Sequence, residues 1–309
     1  MTVDRIGVDE SVDAAFPPAL LVDALADTPV DVTVVDGSPA SLADCQAVVT
    51  LVYREAFLDL EWIHAIQAGV DRFPREALRE ADVTLTNSTG VHGDSVSESV
   101  AAVVLAFARD LHRHVRQQER RTWNTSPWDR AWTVSGERAC VVGLGSLGRG
   151  VVDRLDGLGL HVVGVRRTPL PEPRVERVYR PTELTEAVAD ARFVVLTVPL
   201  TDTTRALVDA DVLDAMRDDS YLVNVARGAV VDQSALVEAL RENRVAGAAL
   251  DVFETEPLPE SSPLWDMDDV IVTPHSAGRT RDYYRHVAAL VRKNVQQLNA
   301  GEDIANRVC

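Results

Sequence analysis

Apolar residues along the chain fall into short unbroken runs separated by longer amphipathic stretches. Val32–Val35, Val48–Val52 and Val83–Thr86 read as strands, and between them Pro18–Ala26 and Phe73–Glu80 have helix-compatible spacing. Beyond residue 137 the pattern resumes with Ala139–Val142, Leu160–Val165, Phe193–Val198, Tyr221–Val225, Gly247–Phe253 and Val270–Thr273. Strand-length apolar runs alternating with helices predict an α/β fold with parallel sheets. Ser95-x-x-Glu98 reads as a capping box opening a long helix with Val100, Val103, Val104, Phe107 and Leu111 on its buried face, a hinge candidate between two α/β units. The segment from Arg116 to Gly136 has no strong period and carries Trp123, Trp128 and Trp132. It reads either as an interface or as an arm packed on its own domain. A last helix is expected from near Thr280, with Gly301 ending it.

One run has chemistry built into its end. Ala139–Val142 leads straight into Gly143-Leu144-Gly145-Ser146-Leu147-Gly148, and Val151, Val152, Leu155 and Leu158 then continue at helical spacing. In a strand–turn–helix of this kind the first glycine permits the tight turn. The second lets the backbone approach a pyrophosphate, and the third lets the helix pack on the strand. Free N–H groups of the helix's first turn, at Ser146 and Leu147, then face the phosphates, and the helix dipole adds to the attraction. Gly-x-Gly-x-x-Gly alone is a weak signal. A second strand at βαβ distance, Leu160–Val165, raises it to a dinucleotide site.

The end of that second strand bears on which dinucleotide. Where NAD is preferred, an acidic residue about 20 positions past the glycines bonds the ribose 2′-hydroxyl. Here Arg166, Arg167 and Thr168 stand at that place, and no acid follows until Glu172. Guanidinium and hydroxyl groups suit a 2′-phosphate, so NADP is expected to be preferred, with NAD also accepted. The competing reading is a solvated basic turn, since Arg174, Arg177 and Arg180 lie close by.

Composition narrows the class. At 309 residues two domains are expected, and 46% hydrophobic content is ordinary for a globular chain. No apolar run approaches the roughly 20 residues of a membrane span, and Asp4, Asp9 and Glu10 near the N-terminus are unlike a signal peptide. A cytoplasmic protein without membrane contact is expected. Cys45, Cys140 and Cys309 are too scattered for a disulfide framework or a metal site, and no metal is expected. Net charge is −17, which argues against a nucleic-acid partner. Lys293 is the only lysine. Acidic, lysine-poor chains suit cytoplasms with molar salt, where the Debye length falls to about 3 Å and self-repulsion is screened. A halophilic host is therefore expected, against the plainer reading of an acidic coding bias.

Three ionisable residues lie just past apolar strands: Arg227 after Tyr221–Val225, Glu256 after Ala248–Phe253 and His275 after Val270–Thr273. In open α/β sheets ligands bind outside the carboxyl ends of strands, so the three are candidates to line one crevice with the glycine loop. Together, Gly143-Leu144-Gly145-Ser146-Leu147-Gly148, Asn224-Val225-Ala226-Arg227-Gly228, Ala249 to Leu258 and Thr273-Pro274-His275-Ser276-Ala277 resemble, in order, the D-isomer-specific 2-hydroxyacid dehydrogenase family. The resemblance covers roughly residues 137–280 and is looser over 1–95, where Ala68-Gly69-Val70-Asp71 is the clearest counterpart.

The resemblance implies two Rossmann/flavodoxin-like domains separated by a cleft: a substrate domain, residues 1–94 plus 285–309, and a dinucleotide-binding domain, residues 95–284. It implies NAD(P)H-dependent reduction of 2-keto acids to D-2-hydroxy acids by a homodimer, with residues 96–135 as the expected interface. Arg227 would bind the substrate carboxylate and polarise the keto oxygen, which suits its planar fork of donors. His275 would be the general acid, and Glu256 beside it would favour the imidazolium. Asp251 would hold the nicotinamide carboxamide. Pro199, Thr204, Ala226 and Gly278 would also lie along the cofactor. Tyr53, Arg54, Ala68 and Gly69 would hold the substrate carboxylate from the other domain. Two alternatives stay open. Formate or phosphite oxidation is one, although formate dehydrogenases usually carry glutamine where Glu256 stands. A non-catalytic, corepressor-like dinucleotide sensor is the other.

Overall fold

A computed structural model describes residues 3–309. The chain divides into two compact units, Met1–His92 with Arg279–Cys309, and Gly93–Gly278. These bounds differ by a few residues from the expected 1–94 plus 285–309 and 95–284. The reason is local: Ser95 and Ser99 donate their hydroxyls to the carbonyls of Gly278 and Ala277, which ties the chain up to Gly278 to the helix at residue 93.

In the first unit the strands are β1 (Arg5–Asp9), β2 (Asp31–Val35), β3 (Ala47–Thr50), β4 (Trp62–Ala65) and β5 (Thr84–Asn87), with helices α1 (Pro18–Leu25), α2 (Pro39–Leu42) and α3 (Arg75–Glu80) between them. They form one parallel sheet in the order β2-β1-β3-β4-β5. Side chains alternate between its faces. Ile6, Val8, Ala47, Val49 and Trp62 pack on one side, and Val48, Ile63, Ala65 and Leu85 on the other. Both faces are covered, which is why these strands read as unbroken apolar runs rather than alternating ones. Two strands, β1 and β4, were not among the expected elements.

The second unit opens with α4 (Gly93–Ala108) and α5 (Leu111–Glu119). The helix starts at Gly93, so the expected capping box is absent: Ser95 lies inside it, and Glu98 pairs with Arg154. There follow β6 (Arg138–Val142), α6 (Ser146–Gly157), β7 (His161–Val165), β8 (Val178–Tyr179), α7 (Leu184–Val188), β9 (Phe193–Leu196), α8 (Ala210–Ala215), β10 (Tyr221–Asn224), α9 (Gln233–Arg241), β11 (Gly247–Leu250) and β12 (Val270–Val272). All strands are parallel, in the order β12-β11-β10-β9-β6-β7-β8. This is the doubly wound arrangement, with its strand order reversing between β6 and β9.

The chain then returns to the first unit as α10 (Tyr283–Ala300), whose Val287, Val291 and Val295 are buried against the β1–β3 side of that sheet. Gly301 ends it at φ +70°, the left-handed position that a side chain would strain. Past it, Val308 N donates to Leu85 O and Leu85 N donates to Cys309 O, which covers the free edge of β5.

Candidate active site

Register brings the chemistry of the second unit to one line. Val142 is level with Val165 and Leu196, Leu196 with Asn224, Asn224 with Leu250, and Leu250 with Val272. The loops carrying Gly143, Arg166, Pro199, Arg227, Asp251 and His275 therefore all leave the same edge of the sheet, at the carboxyl ends of its strands. That edge at the β6/β9 reversal is where open α/β sheets take ligands.

The glycine turn fits a pyrophosphate. Gly143 sits at φ +104°, and a Cβ there would stand 2.9 Å from Val198 Cγ1. A Cβ on Gly148 would be 1.8 Å from the Gly143 carbonyl oxygen, so the helix can pack on the turn only with glycine at that place. Gly145 differs: a Cβ there would meet nothing within 4 Å, because that side of the turn is open. Gly145 is the N-cap of the 12-residue α6, whose Ser146 and Leu147 occupy the first turn without a capping side chain. An open cradle at an uncapped helix start is a place for anionic oxygens. Thr197 braces it from β9's end, its hydroxyl donating to the Gly143 carbonyl at 2.6 Å. In the next loop Thr204 Oγ1 donates to the Pro199 carbonyl at 2.6 Å and accepts from Thr201 N at 2.8 Å.

At the end of β7 the three expected 2′-phosphate residues diverge. Arg167 and Thr168 are exposed. Arg166 folds back on its own turn: Nε donates to Thr168 O at 2.7 Å, Nη2 to Leu170 O at 2.8 Å and Nη1 to Glu172 Oε2 at 2.8 Å. The other oxygen of Glu172 lies 3.0 Å from Arg149 Nε.

The acid–base group is built by hydrogen bonds from one strand end to the next. Asn224, buried at the end of β10, accepts from Ala226 N at 3.0 Å and donates to Arg227 O at 3.0 Å, so it brackets the turn that presents Arg227. A Cβ at Gly228 would lie 1.8 Å from the carbonyl carbon of Phe253, so this turn can sit against the loop after β11 only with glycine there. Arg227 is half-buried and donates from Nη1 to the Ala226 carbonyl at 2.7 Å. Asp251 is buried; its Oδ1 accepts from Thr273 Oγ1 at 2.6 Å and Ser276 N at 2.8 Å, and its Oδ2 from Ala277 N at 3.0 Å. Those bonds fix the turn carrying His275, whose own N–H donates to the Asp251 carbonyl at 2.8 Å. The Asp251 carboxylate, expected at the nicotinamide carboxamide, also holds the histidine turn. His275 takes φ +50°, a conformation that costs a non-glycine residue about 1 kcal/mol or more and persists only where neighbours impose it. Its Nδ1 lies 2.9 Å from Glu256 Oε2, and Glu256 Oε1 accepts from Phe253 N at 3.2 Å. Nδ1 is thereby committed to a carboxylate, which leaves Nε2 for proton exchange.

The first unit carries its own polar group at strand ends. Arg54 Nε lies 3.0 Å from Asp9 Oδ2, with Asp9 fully buried at the end of β1. Tyr53 packs edge-on against Phe57 and Phe73, and burial raises the pKa of its phenol. The Ala68 carbonyl accepts from Asn87 Nδ2 at 2.6 Å, and the Ala68–Gly69 stretch is half-buried. Arg54, expected at a substrate carboxylate, also bonds Asp9 through Nε and Nη2.

Asn224, Thr197, Thr273 and Glu172 are the residues that sequence reasoning left without a role. The first three shared one signal, a polar side chain at the end of an otherwise apolar strand.

Comparison with known proteins agrees with this arrangement. Residues 101–277 match the family described as D-isomer specific 2-hydroxyacid dehydrogenase, NAD binding domain. The chain is 31% identical to a glyoxylate reductase of Korarchaeum cryptofilum over 286 residues, covering 86% of this chain and 83% of that one. It is 33% identical to a glyoxylate reductase of Pyrococcus horikoshii, covering 76% and 72%. The structure resembles that of a D-isomer specific 2-hydroxyacid dehydrogenase from Xanthobacter autotrophicus Py2 in complex with NADPH and MES, with a TM-score of 0.80 at 30% identity, covering 100% of this chain and 98% of that one. The chain belongs to the D-isomer-specific 2-hydroxyacid dehydrogenase family.

Proposed function

We propose that this protein reduces small 2-keto acids to D-2-hydroxy acids with NAD(P)H, and that NADPH is the favoured donor. The observation that carries the reading is the Glu256–His275 pair at 2.9 Å, on the same sheet edge as Arg227 and the open glycine cradle. The nicotinamide supplies the hydride when bound. The chain supplies the rest. Arg227 binds the carboxylate with its charge and draws density from the adjacent carbonyl oxygen. His275 delivers a proton to that oxygen from Nε2 while Glu256 keeps Nδ1 oriented, and takes it back in the reverse reaction. Asp251 holds the histidine turn. The loops Leu51–Arg54 and Ala68–Asp71 of the first unit are proposed as further contacts to substrate, through Tyr53, Arg54 and the main chain at Ala68–Gly69.

Glyoxylate is the favoured substrate, because the relatives above are glyoxylate reductases, and the 2-keto acid hydroxypyruvate, which is only slightly larger, is proposed beside it. The structural relative holds NADPH, which supports the donor assignment together with the exposed Arg167 and Thr168 at the end of β7. Formate or phosphite oxidation and a non-catalytic sensor gain no support from these relatives. Among the described residues no helix is long and apolar enough to cross a membrane, in keeping with a proposed cytoplasmic place. The test is NADPH and NADH oxidation in molar salt with glyoxylate, hydroxypyruvate, pyruvate and 2-ketohexanoate. Turnover is expected with the first two and NADPH; no turnover with any keto acid defeats the reading.

A homodimer through residues 96–135 belongs to the same proposal. Trp123 and Trp128 are 98% and 93% exposed, and Leu105, Leu111 and Val115 also show apolar surface. Exposed aromatic surface of this kind marks association sites. Trp132 plays no such part: it stacks on Tyr221 at 5.7 Å between centroids and lies under the Arg192 guanidinium.

A further inference from the structure

The acid absent from the end of β7 returns in space four residues past Thr168. Glu172 is only 12% exposed, and its two oxygens are divided between Arg149, at the first turn of α6, and Arg166, at the end of β7. We propose that Glu172 is a positioning residue for the 2′-phosphate of NADPH, holding Arg149 and Arg166 side by side as a paired clamp beside Arg167 and Thr168. The proposal rests on the NADPH preference argued above.

Two features of the turn favour this over a simple surface ion pair. Two guanidinium groups side by side repel each other, which costs stability unless a counter-charge offsets it. A carboxylate hydrogen-bonded to Arg166 through one oxygen and ion-paired with Arg149 at 3.0 Å through the other offsets that repulsion. Glu172 also leaves part of each group unspent. Arg166 uses three of its five N–H donors on Thr168 O, Leu170 O and Glu172 Oε2, so one N–H on each terminal nitrogen is left for a phosphate oxygen. Held in this way, Arg166 has already lost the rotamer freedom that ligand binding would otherwise remove. The charges also suit the ligand: Arg149, Arg166 and Arg167 less Glu172 leave two positive charges opposite a phosphate monoester that is close to dianionic. A carboxylate in this place is thus compatible with NADPH, because both of its oxygens are turned to arginines and not to a ribose.

Calorimetric titration with 2′,5′-ADP and with 5′-AMP tests the proposal without catalysis. The wild type is expected to bind 2′,5′-ADP about tenfold or more tightly than 5′-AMP, as charge-assisted bonds to the extra phosphate require. In Glu172→Gln that ratio is expected to fall to about threefold or less while 5′-AMP affinity stays within about twofold, with Glu172→Asp intermediate. Retained 5′-AMP binding shows that the variant is folded. An unchanged or increased ratio in Glu172→Gln overturns the proposal, as does an equal loss for both probes, which would make Glu172 merely structural. Failure of the wild type to distinguish the two probes brings down the NADPH reading and this proposal together. Discrimination that persists in Glu172→Gln brings down this one alone.

Discussion

Glu256 Oε2 lies 2.9 Å from His275 Nδ1, and the residue that carries this imidazole stands at φ +50° with its N–H bonded to the Asp251 carbonyl. The histidine is fixed at both its ring and its main chain. A proton donor that need not reorient at the moment of transfer is what general acid catalysis requires.

His275→Ala is expected to lower kcat for glyoxylate reduction by about 10²–10⁴, the usual contribution of a positioned acid–base group. Glu256→Gln is expected to cost less, since it loosens the ring without removing it. Near-normal turnover in His275→Ala, read from steady-state NADPH oxidation, removes this residue from the mechanism.

Arg227→Ala is expected to raise KM for the keto acid and to lower kcat as well, because one guanidinium serves both carboxylate and carbonyl. Arg227→Lys is expected to recover only part of the loss, a point charge lacking the planar fork. Wild-type kinetics in either variant contradict the assignment.

The glycine turn, the strand ends and the single positions of Arg227, Glu256 and His275 just past them were legible in the sequence because each is local. An apolar run, a turn residue and a polar group follow one another within about ten positions. Elements held by distant partners were not. The helix α5 buries no residue, and its place comes from Arg113 on Asp269 and Arg116 on Asp268, more than 150 positions away. The strand β4 carries Trp62 and His64, whose polar atoms are satisfied by Thr86 and Ser88 more than 20 positions away. The Ser95-x-x-Glu98 pattern misled because α4 begins two residues earlier, at Gly93, a position that lies close to Gly150 of α6. Arg166 read as free to bind a ligand because its partner Glu172 meets it only through the shape of the turn.

His64 gives a prediction about acid stability. It is fully buried, its ring nitrogens bonded to Thr86 and Ser88 hydroxyls, and burial pushes its pKa down to about 3. Unfolded, it would take up a proton near pH 6.5, so between about pH 6.5 and 3 the unfolded state binds the extra proton. Stability therefore falls as pH drops through that window, with a contribution from this residue approaching about 1.4 kcal/mol per pH unit. Urea midpoints measured from pH 7 to 4.5 are expected to fall less steeply in His64→Gln than in the wild type. Parallel slopes would mean that the ring is protonated in the folded protein.

Trp123→Ser with Trp128→Ser is expected to lower the apparent mass by light scattering toward that of one chain, since both rings are nearly fully exposed. An unchanged dimer mass moves the interface elsewhere, and a monomeric wild type removes it.

The handedness of the product tests the central claim most directly. Hydroxypyruvate and NADPH are incubated with the enzyme in molar salt, and the glycerate formed is resolved by chiral chromatography, for the wild type and for His275→Ala. The predicted result is D-glycerate alone from the wild type and a rate lower by about 10² or more from the variant. L-glycerate, a racemate, or equal rates from the two proteins would contradict it.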